Sequence, residues 1–154
     1  MSGGEKPYVL IVDDNEATCV LIAAVLHRDF ATDVATDGAE AIEKLKTHSY
    51  DVVLLDLRMP NLDGFDVLDH LRANTPELLR RVVIVTAAVS QREMDRVRGY
   101  SIHGIVTKPF EVDVLLEVVK SCAGEGGGRS FAPVICSTGM ILLIADLLRN
   151  YVRR

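Results

Sequence analysis

An α/β fold, a parallel sheet with helices on both faces, is predicted by three features of this sequence. Four runs are continuously apolar and rich in β-branched residues: Val9-Leu10-Ile11-Val12, Val52-Val53-Leu54-Leu55, Val82-Val83-Ile84-Val85 and Ile105-Val106. They show no in-out alternation, which suits strands buried on both faces of a parallel sheet. Stretches of helical periodicity separate them, and the resulting order βαβαβαβαβα calls for right-handed crossovers. The chain of 154 residues is 49% hydrophobic and 25% charged, with eleven glycines and five prolines. That composition excludes disordered, collagen-like and coiled-coil classes, and the length is that of one domain with a small appendage.

The first strand, Val9 to Val12, is followed by a helix in which Ala17, Val20, Leu21, Ala24 and Val25 recur at helical spacing. A weaker strand, Thr32 to Ala35, mixes polar and apolar residues as an edge strand does. Ile42 and Leu45 mark the second helix, with Glu40 and Lys44 paired on its wet face. Val67, Leu68 and Leu71 mark the third, Met94 and Val97 a thin fourth, and Val112, Leu115, Leu116, Val119 and Cys122 the fifth. The (βα)5 unit therefore runs over 8–123, after a short polar tail at 1–7. Residues 124–130, rich in glycine, form a linker, and 131–154 an apolar, amphipathic helical extension.

In that extension Asp146, Arg149, Asn150 and Arg153 fall within one arc of about 100°, with Met140, Ile144, Leu147, Leu148 and Tyr151 outside it. An amphipathic helix from about Thr138 to Val152 follows. Its apolar face must be buried on its own domain, on a second copy or on a partner. The run Phe131 to Leu148 contains Asp146, Pro133 and Gly139 and is at the lower limit of length for a membrane span, so no span is expected.

Charge and cysteine usage narrow the classes further. Seventeen basic against twenty-two acidic residues give a net charge of −5, which does not favour nucleic acid as a partner. No recognition-helix pattern is visible, so direct DNA binding is not expected. Cys19, Cys122 and Cys136 have no metal spacing and read as free thiols of a reducing cytoplasm. The N-terminus lacks the apolar stretch of a signal peptide. Neither a Walker A sequence nor a dinucleotide-binding glycine pattern occurs.

Ligands of an open parallel sheet sit beyond the carboxyl ends of the strands. Asp13 and Asp14 follow the first strand, Asp56 the third, Thr86 ends the fourth, and Lys108 follows the fifth. Singly, each has an ordinary reading as cap, strand end or solvated lysine. Together they put three carboxylates, a hydroxyl and an amine on one rim. Carboxylates without His or Cys make an oxygen-only site suited to Mg2+ rather than zinc. A carboxylate can also attack phosphorus to form an acyl phosphate, a step that needs positioning and charge neutralisation. Mg2+, Lys108 and Thr86 could supply both.

These stretches, VLIVDD at 9–14, VVLLDLRMPNLDG at 52–64, VVIVTA at 82–87 and TKPF at 107–110, resemble the receiver (CheY-like) domain of two-component response regulators. The resemblance covers about 8–123. It implies the flavodoxin-like doubly wound sheet with strand order 2-1-3-4-5. It implies Asp56 as phosphoacceptor, Asp13 and Asp14 as Mg2+ ligands with the Arg58 backbone carbonyl, and Thr86 and Lys108 as the hydroxyl and cation that meet the phosphoryl group. A cis bond from Lys108 to Pro109 is implied as well. The implied function is a phosphorylation-controlled binding switch in the cytoplasm, not an enzyme of turnover. Its phosphoryl donor would be a histidine kinase or phosphotransfer protein. A homodimer through the fourth-helix, fifth-strand, fifth-helix face, or through the C-terminal helix, is compatible with it.

Ile105 departs from the family, in which that position usually carries a Tyr or Phe whose rotamer follows phosphorylation; Tyr100 lies too early to take that role. In that family the positions of Arg58 and Ala88 flank the path of the hydrolytic water, so the resemblance implies slow loss of the phosphoryl group, with Arg58 screening it and Ala88 offering no polar side chain to orient water. The alternatives are an Asp-nucleophile phosphatase of the haloacid-dehalogenase type and a phosphorylation-independent adaptor. The first wants a second Asp where this chain has Arg58.

Overall fold

A computed structural model describes residues 4–124 and the backbone of 134–136. The elements are β1 (Tyr8–Val12), α1 (Glu16–Leu26), β2 (Ala31–Ala35), α2 (Gly38–Thr47), β3 (Val52–Leu55), α3 (Gly64–Asn74), a 3-10 helix (Pro76–Arg81), β4 (Val82–Thr86), α4 (Gln91–Val97), β5 (Gly104–Thr107), α5 (Val112–Gly124) and β6 (Val134–Cys136). The sheet order is β2-β1-β3-β4-β5-β6, with every pairing parallel. The expected order 2-1-3-4-5 is thus present, with the polar β2 at one edge.

Alternation along the strands splits the core into two halves. Leu10, Val12, Val53, Leu55, Ile84 and Ile105 meet Ala41 of α2, Phe65, Val67, Leu68 and Leu71 of α3, and Val97 of α4. Val9, Ile11, Leu54, Val83, Val85 and Val106 meet Cys19, Ile22 and Leu26 of α1 and Leu115, Val118, Val119 and Cys122 of α5. The apolar runs lack alternation because both faces of each strand are covered.

Helix starts are fixed by side chains at the carboxyl end of the sheet. Asn15 accepts from the Thr18 N–H and Asp37 from the Glu40 N–H. Asp63 with Asp66, and Ser90 with Glu93, form reciprocal capping boxes on α3 and α4. Each cap satisfies helix N–H groups that otherwise have no partner, and so pins the loop before it.

Three details differ from the sequence-based expectation. In α1 the buried residues are Cys19, Ile22 and Leu26, while Val20 and Leu21 of the apolar stripe are 70% and 52% exposed. Gly124, expected to open the linker, is the last residue of α5. The extension expected to be helical over 131–154 contains a strand, β6, whose Val134, Ile135 and Cys136 pair with Gly104, Ile105 and Val106. Three residues that add to an open sheet edge gain a hydrogen-bonded partner for their backbone, which local helical propensity does not offset. The linker at 125–130 and the amphipathic helix at 138–152 lie outside the described residues. No helix among the described residues is long and apolar enough to cross a membrane.

Candidate phosphoacceptor site

Parallel register alone brings the rim residues together. Val12 pairs with Leu55, so the next residues, Asp13 and Asp56, leave the sheet side by side, and the Asp56 N–H donates to Val12 O at 2.9 Å. Thr86 pairs with Thr107, and the Lys108 N–H donates to Thr86 O at 2.7 Å. The peptide bond from Lys108 to Pro109 is cis. Sequence reasoning therefore located five residues that the fold places around one point.

Asp13, Asp56 and Thr86 are the buried polar residues among the described ones, whereas Asp14 is exposed. Asp56 Oδ1 accepts from Thr86 Oγ1 at 2.9 Å and from the Arg58 N–H at 3.1 Å. Asp56 Oδ2 faces Lys108 Nζ at 3.3 Å. Lys108 Nζ is closer to Asp13, 2.5 Å from Oδ2, and Asp13 Oδ1 accepts from the Asn15 N–H at 2.9 Å. Burial would lower the Lys108 pKa, but the hydrogen bond to Asp13 and the charges of Asp56 and Asp13 outweigh it and raise it. The ammonium is therefore firmly protonated.

One oxygen from each of Asp13, Asp14 and Asp56 lies within 4.8 Å of the other two. Three carboxylates face one ammonium, so the cluster keeps an excess of negative charge in a partly desolvated place, which is costly unless a cation joins it. The donor set is all oxygen and suits a hard divalent ion. Asp13 and Asp56 thus sit where both a metal and a phosphoryl group could be held.

The strand-end residues are backed by two features that sequence reasoning passed over. A Cβ on Gly64 would lie 2.4 Å from Asp56 O, so α3 starts directly against the backbone that carries Asp56. Cys19 donates from Sγ to Asp13 O at 3.3 Å, and burial, then the Asp13 charge, push its thiol up to about 11.

Arg58 reaches out of the site: its Nη2 donates to Ala88 O at 3.0 Å and lies 3.5 Å from Glu93 Oε2. Glu93 was not singled out from the sequence, where it reads as an ordinary cap partner. Ile105 is buried in the half of the core that faces α2, α3 and α4. Tyr100 is buried too, and its hydroxyl donates to Asp69 on α3.

Comparison with known proteins gives a consistent picture. A family model described as the response regulator receiver domain matches residues 9–120. The sensory transduction protein RegX3 of Mycobacterium tuberculosis is 35% identical over 122 residues, covering 77% of this chain and 52% of that protein. The receiver domain of the Francisella response regulator 1452 superposes with a TM-score of 0.70 at 30% identity, covering 79% of this chain and 100% of that one. The receiver domain of the sensor histidine kinase PA1611 of Pseudomonas aeruginosa, with magnesium coordinated in its active-site cleft, gives 0.70 at 24% identity, covering 78% of this chain and 99% of that one. The chain spans about half the length of the curated relatives it matches.

Proposed function

The chain belongs to the family of response regulator receiver domains, and we propose that Asp56 is its phosphoacceptor and that Asp13, Asp14 and Asp56 hold Mg2+. The observation that carries this reading is the asymmetry of Asp56. Its Oδ1 is occupied by Thr86 and the Arg58 N–H, whereas Oδ2 meets Lys108 Nζ at a longer 3.3 Å. The Oδ2 lone pair is the one available for attack.

In the transfer, Asp56 Oδ2 forms a bond to phosphorus as the P–N bond of a phosphohistidine donor breaks, and the imidazole nitrogen keeps the electron pair. A carboxylate is already ionised, so no general base is needed. The carboxylates of Asp13, Asp14 and Asp56 and the Arg58 carbonyl would hold Mg2+, which would supply charge neutralisation for the phosphoryl oxygens. The excess negative charge of the cluster and the magnesium in the PA1611 cleft support that choice of ion. Lys108 is positioned to move from Asp13 to a phosphoryl oxygen, and the Thr86 hydroxyl to turn from Asp56 Oδ1 to another. A histidine kinase or phosphotransfer protein is the donor that fits, and the protein acts as a cytoplasmic interaction switch rather than an enzyme of turnover. Self-association through the face of α4, β5 and α5, or through the C-terminal segment, fits this reading.

The test is incorporation of a phosphoryl group from acetyl phosphate with Mg2+, read by intact mass. The wild type gains one phosphoryl group, and Asp56→Asn or chelation of Mg2+ removes the gain. Incorporation that persists in Asp56→Asn overturns the assignment.

A further inference from the structure

Arg58 joins the loop that carries Asp56 to the start of α4. Its N–H holds Asp56 Oδ1, and its guanidinium holds the Ala88 carbonyl and lies against Glu93. The same Glu93 oxygen accepts from the Ser90 N–H at 2.8 Å and from Ser90 Oγ at 2.7 Å, closing the capping box of α4. The backbone and side-chain hydrogen bonds of Ser90, then Arg58, hold the Glu93 carboxyl below its ordinary range, so it is an anion at neutral pH. α4 itself is lightly anchored. Val97 is its buried residue, and Arg96 ties it to α3 through Asp69 at 3.5 Å and over the Phe65 ring at 4.0 Å.

Resting on Asp56 as phosphoacceptor, we propose that Arg58 is a second cation for the phosphoryl group, kept in reserve by Glu93 and the Ala88 carbonyl, and that its exchange between Glu93 and the phosphoryl group couples Asp56 to α4. A phosphoryl group near neutral pH carries about −1.5 to −2 charges and three acceptor oxygens, against the single charge of Glu93. The planar guanidinium fits such a group in bidentate fashion. The pair it leaves is long, at 3.5 Å, with the Arg58 side chain exposed and Glu93 only partly covered, and pairs near the surface are weakly held. On release, Glu93 keeps its Ser90 bonds but loses its tie to the Asp56 loop, and α4 is freed from the site and opens more readily. The arrangement gives phosphorylation a route to α4 that does not pass through β5.

The experiment uses the full chain with beryllofluoride and Mg2+ as the phosphoryl mimic. Binding is followed by calorimetry and the amides of α4 by hydrogen exchange. Arg58→Ala weakens beryllofluoride binding about tenfold, the loss of one charge-assisted contact. Glu93→Gln tightens it severalfold in the wild type and leaves it unchanged in the Arg58→Ala background. Arg58→Lys, which keeps the charge but not the fork, falls between. In the wild type, beryllofluoride speeds exchange at 92–96; in Arg58→Ala exchange there is already fast and does not respond. Equal binding by wild type and Arg58→Ala, or an effect of Glu93→Gln that survives in Arg58→Ala, overturns the proposal and leaves Asp56 as acceptor intact. A wild type that binds no beryllofluoride overturns the phosphoacceptor reading, and this one with it.

Discussion

Asp56 is held from several sides, and its proposed role as acceptor depends on that placement. Its Oδ1 is fixed by two donors, its N–H by Val12, and its carbonyl by the start of α3 at Gly64. A Cβ at Gly64 would also approach Leu57 Cα at 2.7 Å, and neither atom it meets is the end of a flexible side chain. Gly64→Ala must therefore push α3 away from β3 or tilt the Asp56 peptide. Overpacking of this kind costs about 1–3 kcal/mol, and the upper part of that range applies where backbone is hit. Urea unfolding of Gly64→Ala is expected to show a loss of about 2 kcal/mol, together with slower phosphoryl incorporation. An unchanged midpoint would mean that α3 is free to give way. The carboxylates were legible in the sequence because charge at the end of an apolar strand is hard to explain otherwise. Gly64 and Glu93 were not, since a glycine after Asp and a Glu after Ser are what any helix start contains.

Elements were legible where the periodic pattern and the buried face coincide. Val67, Leu68 and Leu71 mark α3 and are buried in it. In α1 the pattern gave the helix but not its face, because the helix is apolar nearly all round: Ala17, Val20, Leu21 and Ala24 point outward, and Cys19, Ile22 and Leu26 inward. Spacing alone cannot choose between two apolar stripes; contact with β1 and α5 does. The two stripes should therefore differ sharply in cost. Leu21→Ser, at a side chain half in water, is expected to change stability by about 0.5 kcal/mol or less. Ile22→Ala, at a fully buried one, should cost about 2–5 kcal/mol. Denaturant midpoints of the two variants check this, and comparable losses would show that the outer stripe is covered in solution.

For the molecule as a whole, the five-stranded sheet was legible because strands buried on both faces must be apolar throughout, and the polar β2 could only be an edge. The sixth strand was not, because Val134, Ile135 and Cys136 sit inside a longer apolar run that reads equally well as helix. Its place in the sheet also conflicts with a general preference. α3 and α4 cross to their next strands on one face, while α5 lies on the opposite face with α1. A connection through α5 that continues beyond β5 in the same direction therefore has the opposite, left-handed sense, and parallel crossovers are right-handed in about 98% of cases. β6 pairs on one side over three residues, and hydrogen bonds contribute a net of about 0.5–1.5 kcal/mol each. Its opening should cost about 1–3 kcal/mol, against about 5–15 kcal/mol for unfolding a domain. Native-state hydrogen exchange is expected to show the amides of 134–136 exchanging at least about a hundredfold faster than those of β3 and β4. The Lys108 N–H points to β4, so Ile105 faces β6, and the Cys136 N–H is the donor placed to meet it. Cys136→Pro, which removes that donor, should leave the urea midpoint of the five-stranded sheet unchanged. Protection of 134–136 equal to that of the central strands, or a lowered midpoint in Cys136→Pro, would mean that the sixth strand is an integral part of the cooperative fold despite the hand of its connection.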